Sequence, residues 1–264
     1  MKCVILQPSY IPWRGYFHQI EKADIFVFLD DVQFDRRGWR NRNRIKTAKG
    51  TRWLTVPVFS RNHQLEQTPI NEIPICWDRA WNSTHWNSLR HAYGKAPFFD
   101  DYAPTLEKVY RSRPSLLADF TIELTILLSE QLGLGGKRFI RSSMLGVGGA
   151  KTDKVIAVLE KLGASHYISG PSAKEYIEPE KFEAAGIGLE YMDYRYPEYE
   201  QLHPPYDPQV SILDLLFIKG PRAAELIWAN PFAAQTRDSR PGAGAIPAQN
   251  RALAQAAGAH RKRG

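Results

Sequence analysis

Two adjacent carboxylates, Asp30 and Asp31, close the apolar run IFVFL, and eight Lys and Arg follow between residues 36 and 52. No acid interrupts the chain from 36 to 65. A carboxylate at the end of a buried strand can take a proton from an amine, or hold Mg²⁺ against the phosphates of a substrate such as ATP. It can equally sit in a solvated turn or a salt bridge to the neighbouring arginines. Among the cations, Arg36, Arg40, Arg42, Arg44 and Lys46 alternate with Trp39, Asn41 and Asn43. On a strand, Arg40, Arg42 and Arg44 would project from one face and Asn41 and Asn43 from the other. A row of guanidiniums suits multidentate binding of phosphate oxygens, while Trp and Asn can stack on and hydrogen-bond to a base or sugar. The competing explanation is a hairpin edge kept soluble by its charge.

Other motifs are weaker. The stretch GVGGAKT (146–152) invites comparison with a phosphate-binding loop, but that pattern needs glycine at 145 and 150, where Leu145 and Ala150 stand. What survives is a glycine-rich turn that places Lys151 and Thr152 at a helix start. Backbone amides there can bind an anion, or Thr152 simply caps the helix. Ser211-x-x-Asp214 before an apolar stripe reads as a capping box, and Tyr199 and Gln201 upstream are candidate substrate contacts. Gln7, Tyr10 and Trp13 belong to the loop QPSYIPW that follows the first apolar run. G-x-S-x-G, H-E-x-x-H and C-x-x-C are all missing, and His85 and His91 lie too far round a helix to chelate together. Metal-centred and covalent Ser or Cys chemistry are disfavoured, and no metal ligand is assigned.

The elements that must carry these residues are legible from periodicity. Lys2–Gln7 and Ile25–Leu29 are apolar without alternation, which predicts strands buried on both faces, joined through a helix at Arg14–Lys22. KTAKGT predicts a turn between strands Arg42–Lys46 and Arg52–Val58. Three helical patterns follow (Asp78–Tyr93, Asp100–Arg111, Ser115–Leu132), with Pro97, Pro104 and Pro114 as starts or breaks. A strand at Arg138–Ser142 and a helix at Thr152–Leu162 come next. Strands at His166–Ser169 and Leu189–Met192 flank a short helix at Glu180–Ala185, and two helices split at Gly220–Pro221 close the pattern. The expected fold is α/β: a mostly parallel sheet opened by a βαβ unit, a helical middle section and a disordered C-terminal tail. Residues 1–228 form one domain in this reading, with 78–133 a helical subdomain. In such a sheet ligands bind beyond the carboxyl ends of the strands, so the Gln7–Trp13 loop, Asp30–Asp31 and the cationic hairpin should share one edge.

The net charge of +7 over 264 residues suggests nucleic acid until it is divided. Residues 229–264 carry +5 in an Ala-, Gly- and Pro-rich stretch with few large apolar groups, which leaves the body at only +2. That is a poor footprint for a polynucleotide, so the expected partner is a phosphorylated or nucleotide-linked small molecule. No apolar run is long enough to span a bilayer. Two cysteines, Cys3 and Cys76, are too few for a disulfide framework, which fits a reducing cytoplasm.

Three segments together resemble the WbqC-like protein family of bacterial surface-polysaccharide gene clusters: residues 7–58, 149–170 (GAKTDKVIAVLEKLGASHYISG) and 196–221 (YPEYEQLHPPYDPQVSILDLLFIKGP). The resemblance spans the body and excludes the tail. It implies a role in O-antigen production, as a transferase placing glycine or another small acyl or aminoacyl group on a nucleotide-linked amino sugar. In that role the hairpin would hold the diphosphate, Trp39 or Trp13 would stack on base or sugar, and Asp30 or Asp31 would deprotonate the amine. A looser likeness is to adenylyl-forming enzymes with an H-x-G-H loop, but Trp13-Arg14-Gly15-Tyr16 stands there and lacks both histidines. The remaining alternative is a non-catalytic protein that binds nucleic acid or a partner through the 36–52 hairpin.

Overall fold

The computed structural model describes residues 1–59 and 68–228. The first two apolar runs form β1 (Lys2–Leu6) and β2 (Ile25–Phe28), joined by α1 (Arg14–Lys22). Every residue of β2 is buried, as an apolar run without a polar side requires. The hairpin pairs β3 (Arg42–Thr47) with β4 (Gly50–Thr55) antiparallel, in a sheet of its own. Its turn is shorter than the sequence predicts, since Thr47 already pairs with Gly50. Helices α2 (Trp81–Tyr93), α3 (Phe99–Arg111) and α4 (Leu117–Gln131) follow. Pro104 lies inside α3 and does not end it: the N–H it lacks would have served the carbonyl of Asp100, which is exposed to water.

Next come β5 (Arg138–Arg141), α5 (Lys151–Leu162), β6 (His166–Ser169), α6 (Pro179–Ala184), β7 (Gly188–Tyr191) and α7 (Ile212–Lys219). Only the first of the two expected closing helices is α-helical. Gly220, at φ +53°, turns the chain, Pro221 has no N–H to continue α7, and Gly220–Leu226 winds as a 3-10 helix. The tail read at 229–264 lies outside the described residues. No helix among them is long and apolar enough to cross a membrane.

The five-stranded sheet has the order β5-β2-β1-β6-β7 and every pair in it is parallel. Numbered by appearance in this sheet, the order is third, second, first, fourth, fifth, the doubly wound arrangement. Its faces separate two apolar clusters. Val4, Phe26, Phe28, Phe139 and Ile168 pack with α1, the inner residues Ile45 and Leu54 of the hairpin, α2–α4 and α7. Cys3, Ile5, Ile25, Val27 and Tyr167 pack with Val158 and Leu159 of α5 and Phe182 of α6. Connections therefore change face after β5. That change puts a topological switch point between the carboxyl ends of β1 and β6, where such sheets leave a crevice. Cys3, near the start of β1, is fully buried against α5, which pushes its thiol up to about 12 and leaves it inert.

Candidate functional site

Parallel pairing delivers four strand ends to one edge: Gln7 after β1, Asp30–Asp31 after β2, Ser142–Ser143 after β5 and Gly170 after β6. Asp30 has no exposed surface. Arg141 Nε donates to its Oδ2 at 2.8 Å and Ser143 Oγ at 2.9 Å, while Ser143 N reaches Oδ1 at 3.0 Å. Arg141 also bonds Asp119 at 2.8 Å. Asp31 keeps 21% of its side chain exposed and accepts from Lys154 Nζ at 2.7 Å and Ser142 Oγ at 2.5 Å. The same ammonium holds the carbonyl of Val147, so the glycine-rich turn is tied to Asp31. The cations that meet the aspartates thus come from β5 and α5 and not from the hairpin. Arg141, Ser142 and Ser143 occupy both oxygens of Asp30, and Asp31 already faces the Lys154 ammonium, a donor set that competes with Mg²⁺ at both carboxylates. The magnesium role considered for them does not fit.

Arg40 occupies the switch point. Its Nη1 donates to the carbonyl of Gln7 at 3.2 Å, and that carbonyl also receives the hydroxyl of Tyr16. Burial pulls Arg40 below the ordinary arginine pKa, with Tyr16, Asp35 and Tyr176 acting in the other direction. Its Nε is buried and has no hydrogen-bond partner. After β6, the strand beside β1, the 3-10 turn Pro171–Glu175 brings Lys174, whose ammonium lies 5.0 Å from the Tyr191 ring, and leads to exposed Tyr176.

The hairpin divides its cations. Arg42 and Arg44 share one face, with guanidiniums 4.6 and 5.7 Å from the Trp53 ring, as alternation predicts. Arg44 is tied to Gln209 at 2.8 Å, and Lys46, buried, is bound to the carbonyl of Pro205 at 2.5 Å. Asn41 and Asn43 are buried on the inner side. Asn41 bonds the Val56 carbonyl, and Asn43 holds the carbonyls of Tyr10 and Ile11. Arg36 is exposed. The expected single row of phosphate ligands is therefore split: Arg40 turns to the Gln7 carbonyl at the end of β1, Arg42 lies on an indole, and Arg44 and Lys46 brace the 205–209 segment.

The sequence profile of the WbqC-like protein family matches residues 7–226. The chain belongs to the WbqC-like protein family. It is 36% identical over 231 residues to the uncharacterized protein Rv1507c of Mycobacterium tuberculosis, a match covering 86% of this chain and 97% of that relative. No solved structure matches it.

In this WbqC-like protein several residues read as substrate contacts have other partners. Tyr10 is fully buried, with its hydroxyl 2.5 Å from that of Tyr110 and 2.9 Å from His85 Nδ1. The ring of Trp13 meets Tyr194 and Tyr196 edge-on. The loop Trp13–Tyr16 opens α1, and Arg14 turns to the Pro197 carbonyl and the Tyr206 hydroxyl. Lys151 is exposed at φ +50°, and Thr152, buried, accepts the N–H of Glu178; Ala150 stands at the cap position. Ser211 and Asp214 form no capping box. Ser211 Oγ has no partner, and Asp214 is buried, accepting from Tyr93 at 3.0 Å, Tyr199 at 2.7 Å and Gln201 at 3.0 Å. Desolvation raises the Asp214 pKa while these donors and Lys46 oppose the rise. Tyr199 and Gln201 line a cleft of about 370 Å³ with Glu198, Glu200, Pro204 and Tyr206, a lining that includes none of the four strand ends.

The buried His85 carries a consequence for stability. Desolvation lowers its pKa from 6.5 to about 4. Below pH 6.5 the unfolded chain takes up a proton that the native ring refuses, so this contribution is present above pH 6.5 and is lost as pH falls toward 4. The expected loss over that window is about 3 kcal/mol. Urea titrations at several pH values should show this acid limb in the wild type and a shallower one in His85→Gln.

Sequence reasoning missed Arg141, Ser142, Ser143, Lys154, Lys174, Tyr176 and the true role of Asp214. The strand-end rule, applied to β5 and β6 as it was to β1 and β2, points to the first three and to the Lys174–Tyr176 turn. Lys154 and Asp214 carry no local signal.

Proposed function

We propose that this protein is a transferase that attaches glycine, or another small acyl or aminoacyl group, to the amino group of a nucleotide-linked sugar in surface-polysaccharide biosynthesis. One observation carries the binding half of this reading: Arg40 stands at the switch point with a desolvated guanidinium and an unpartnered Nε. Arginine keeps its charge at neutral pH, so a half-buried one with an unpartnered Nε is matched by an anion such as a diphosphate. Lys174 on the turn after β6 adds a second cation. Asp31 is the partly open carboxylate at this edge, and it is the group assigned to take the proton that an attacking amine must lose. The acyl-transfer half rests on the family's implied role.

The test has two stages. UDP-linked amino sugars at about a hundred times their dissociation constant should stabilise the protein by roughly 2.7 kcal/mol, read as a rise in melting temperature. Arg40→Gln should weaken that binding about ten- to a hundredfold, the scale of one hydrogen bond to a charged group, with the fold intact. Equal binding by the variant would remove the anion from the crevice. In the second stage, the protein is incubated with the amino sugar and either glycine, ATP and Mg²⁺ or a glycyl thioester, and the sugar is analysed by mass spectrometry. Absence of an acylated sugar with both donors, despite binding, would end the transferase assignment.

A further inference from the structure

Trp39 and Trp53 are among the most exposed large apolar side chains described, at 42% and 44%, and they lie against each other with centroids 5.2 Å apart and planes at 33°. Arg42 and Arg44 both lie within 6 Å of the Trp53 ring centroid, so that ring is engaged by guanidiniums and by its neighbouring indole. Arg42 is fixed in turn by the carbonyls of Arg37 and Gly38, the residues just before Trp39. An indole pair kept at the surface and braced in this way is costly to leave in water and well placed to receive another flat ring.

The charge around the pair says what kind of ring. Arg36 and Arg37, just before Trp39 in the chain, are exposed, and neither has an ion pair among the described residues. Asp35, the acid nearest in sequence, accepts the backbone N–H of Arg37. An aromatic surface in a cationic surround fits a flat, anionic ligand, and Trp39 is one residue along the chain from Arg40. We propose that Trp39, supported by Trp53 and Arg42, stacks on the base of a nucleoside diphosphate whose phosphates are held at Arg40. This rests on the reading of Arg40 given above and assigns the base end of that ligand. It also decides between the two tryptophans that could have filled the role, since Trp13 is packed among Tyr194, Tyr196 and the core. A body charge of only +2 favours a single nucleotide over a polynucleotide.

Tryptophan fluorescence provides the readout. Wild type, Trp39→Leu and Trp53→Leu are titrated with UDP, ADP, inorganic pyrophosphate and a short oligouridylate, with circular dichroism confirming the fold of each. UDP or ADP should quench wild-type emission, and Trp39→Leu should bind them roughly tenfold more weakly, within the range for loss of one stacked base. Pyrophosphate should bind both alike. UDP binding unchanged in both leucine variants, or equal wild-type affinities for UDP and pyrophosphate, overturns the stacking site while leaving the anion crevice in place. Failure of pyrophosphate, UDP and ADP to bind at all overturns the reading of Arg40 and this inference with it. An oligouridylate that binds far more tightly than UDP, with affinity falling steeply as salt rises, replaces the nucleotide by a nucleic-acid partner.

Discussion

Asp30→Ala is expected to cost about 3–5 kcal/mol of folding stability, the scale for breaking a buried ion pair by removing one partner. The loss is large because Arg141 is itself buried and would keep a charge with only Asp119 to answer it. Ser143 would lose the acceptor of both its hydroxyl and its backbone N–H. Since Asp30 and Arg141 end the adjacent strands β2 and β5, the damage falls on the junction that brings the helical half of the chain back into the sheet. Urea denaturation with linear extrapolation measures it. A double replacement, Asp30→Leu with Arg141→Met, should recover part of the loss, because it removes the orphaned charge while Ser143 and Asp119 stay without their partners. A single-variant loss below about 1 kcal/mol, the range of surface pairs, would mean that water reaches this network.

The second large effect is kinetic. Asp31→Asn should retain ligand binding and lower turnover by about 10²–10⁴, the contribution of a positioned general base. Asparagine keeps the shape and a carbonyl acceptor for Lys154 or Ser142, so the network around it is disturbed less than by alanine. What it removes is the capacity to receive a proton. The decisive comparison is between kcat and the dissociation constant of the amino-sugar ligand. Binding and turnover lost together would make Asp31 a structural partner of Lys154, and turnover unchanged would move the base elsewhere.

Much of this fold was legible because its strands are short apolar runs and its first helix has one inward pair. Strand β2 could be read as buried on both sides from IFVF alone, and Phe17 and Ile20 of α1 are fully buried as their spacing demands. The site was legible in part. The position of Asp30 and Asp31 at a strand end followed from the parallel βαβ unit, but their partners did not. Arg141 and Lys154 are more than a hundred residues away in sequence, and nothing near Asp30 announces a buried arginine. Asp214 was obscured for a different reason. Ser-x-x-Asp before an apolar stripe has a local explanation, and here the long-range one, with Tyr93, Tyr199 and Gln201, prevails. The hairpin arginines were placed on one face correctly for Arg42 and Arg44, yet sharing a face did not mean sharing a ligand. Which carbonyl or indole each meets depends on the 37–38 and 205–209 segments, and these are brought there only by the finished fold.

The inner side of the hairpin is bound to the body at several points. Asn43 clamps the carbonyls of Tyr10 and Ile11, Ile11 is held at φ +37° where a β-branched residue rarely sits, and Ser211 N reaches the carbonyl of Arg44. The outer positions 42 and 53 make no such tie to the domain core. Selection can therefore act on the two rows at different rates. A change at Asn43 or Ile45 disturbs the loop after β1 and with it the whole molecule, whereas Arg42 and Trp53 can be exchanged among residues of other shapes while the frame stands. A hairpin of this kind separates a fixed inner frame from an outer row whose residues can be replaced without dismantling it.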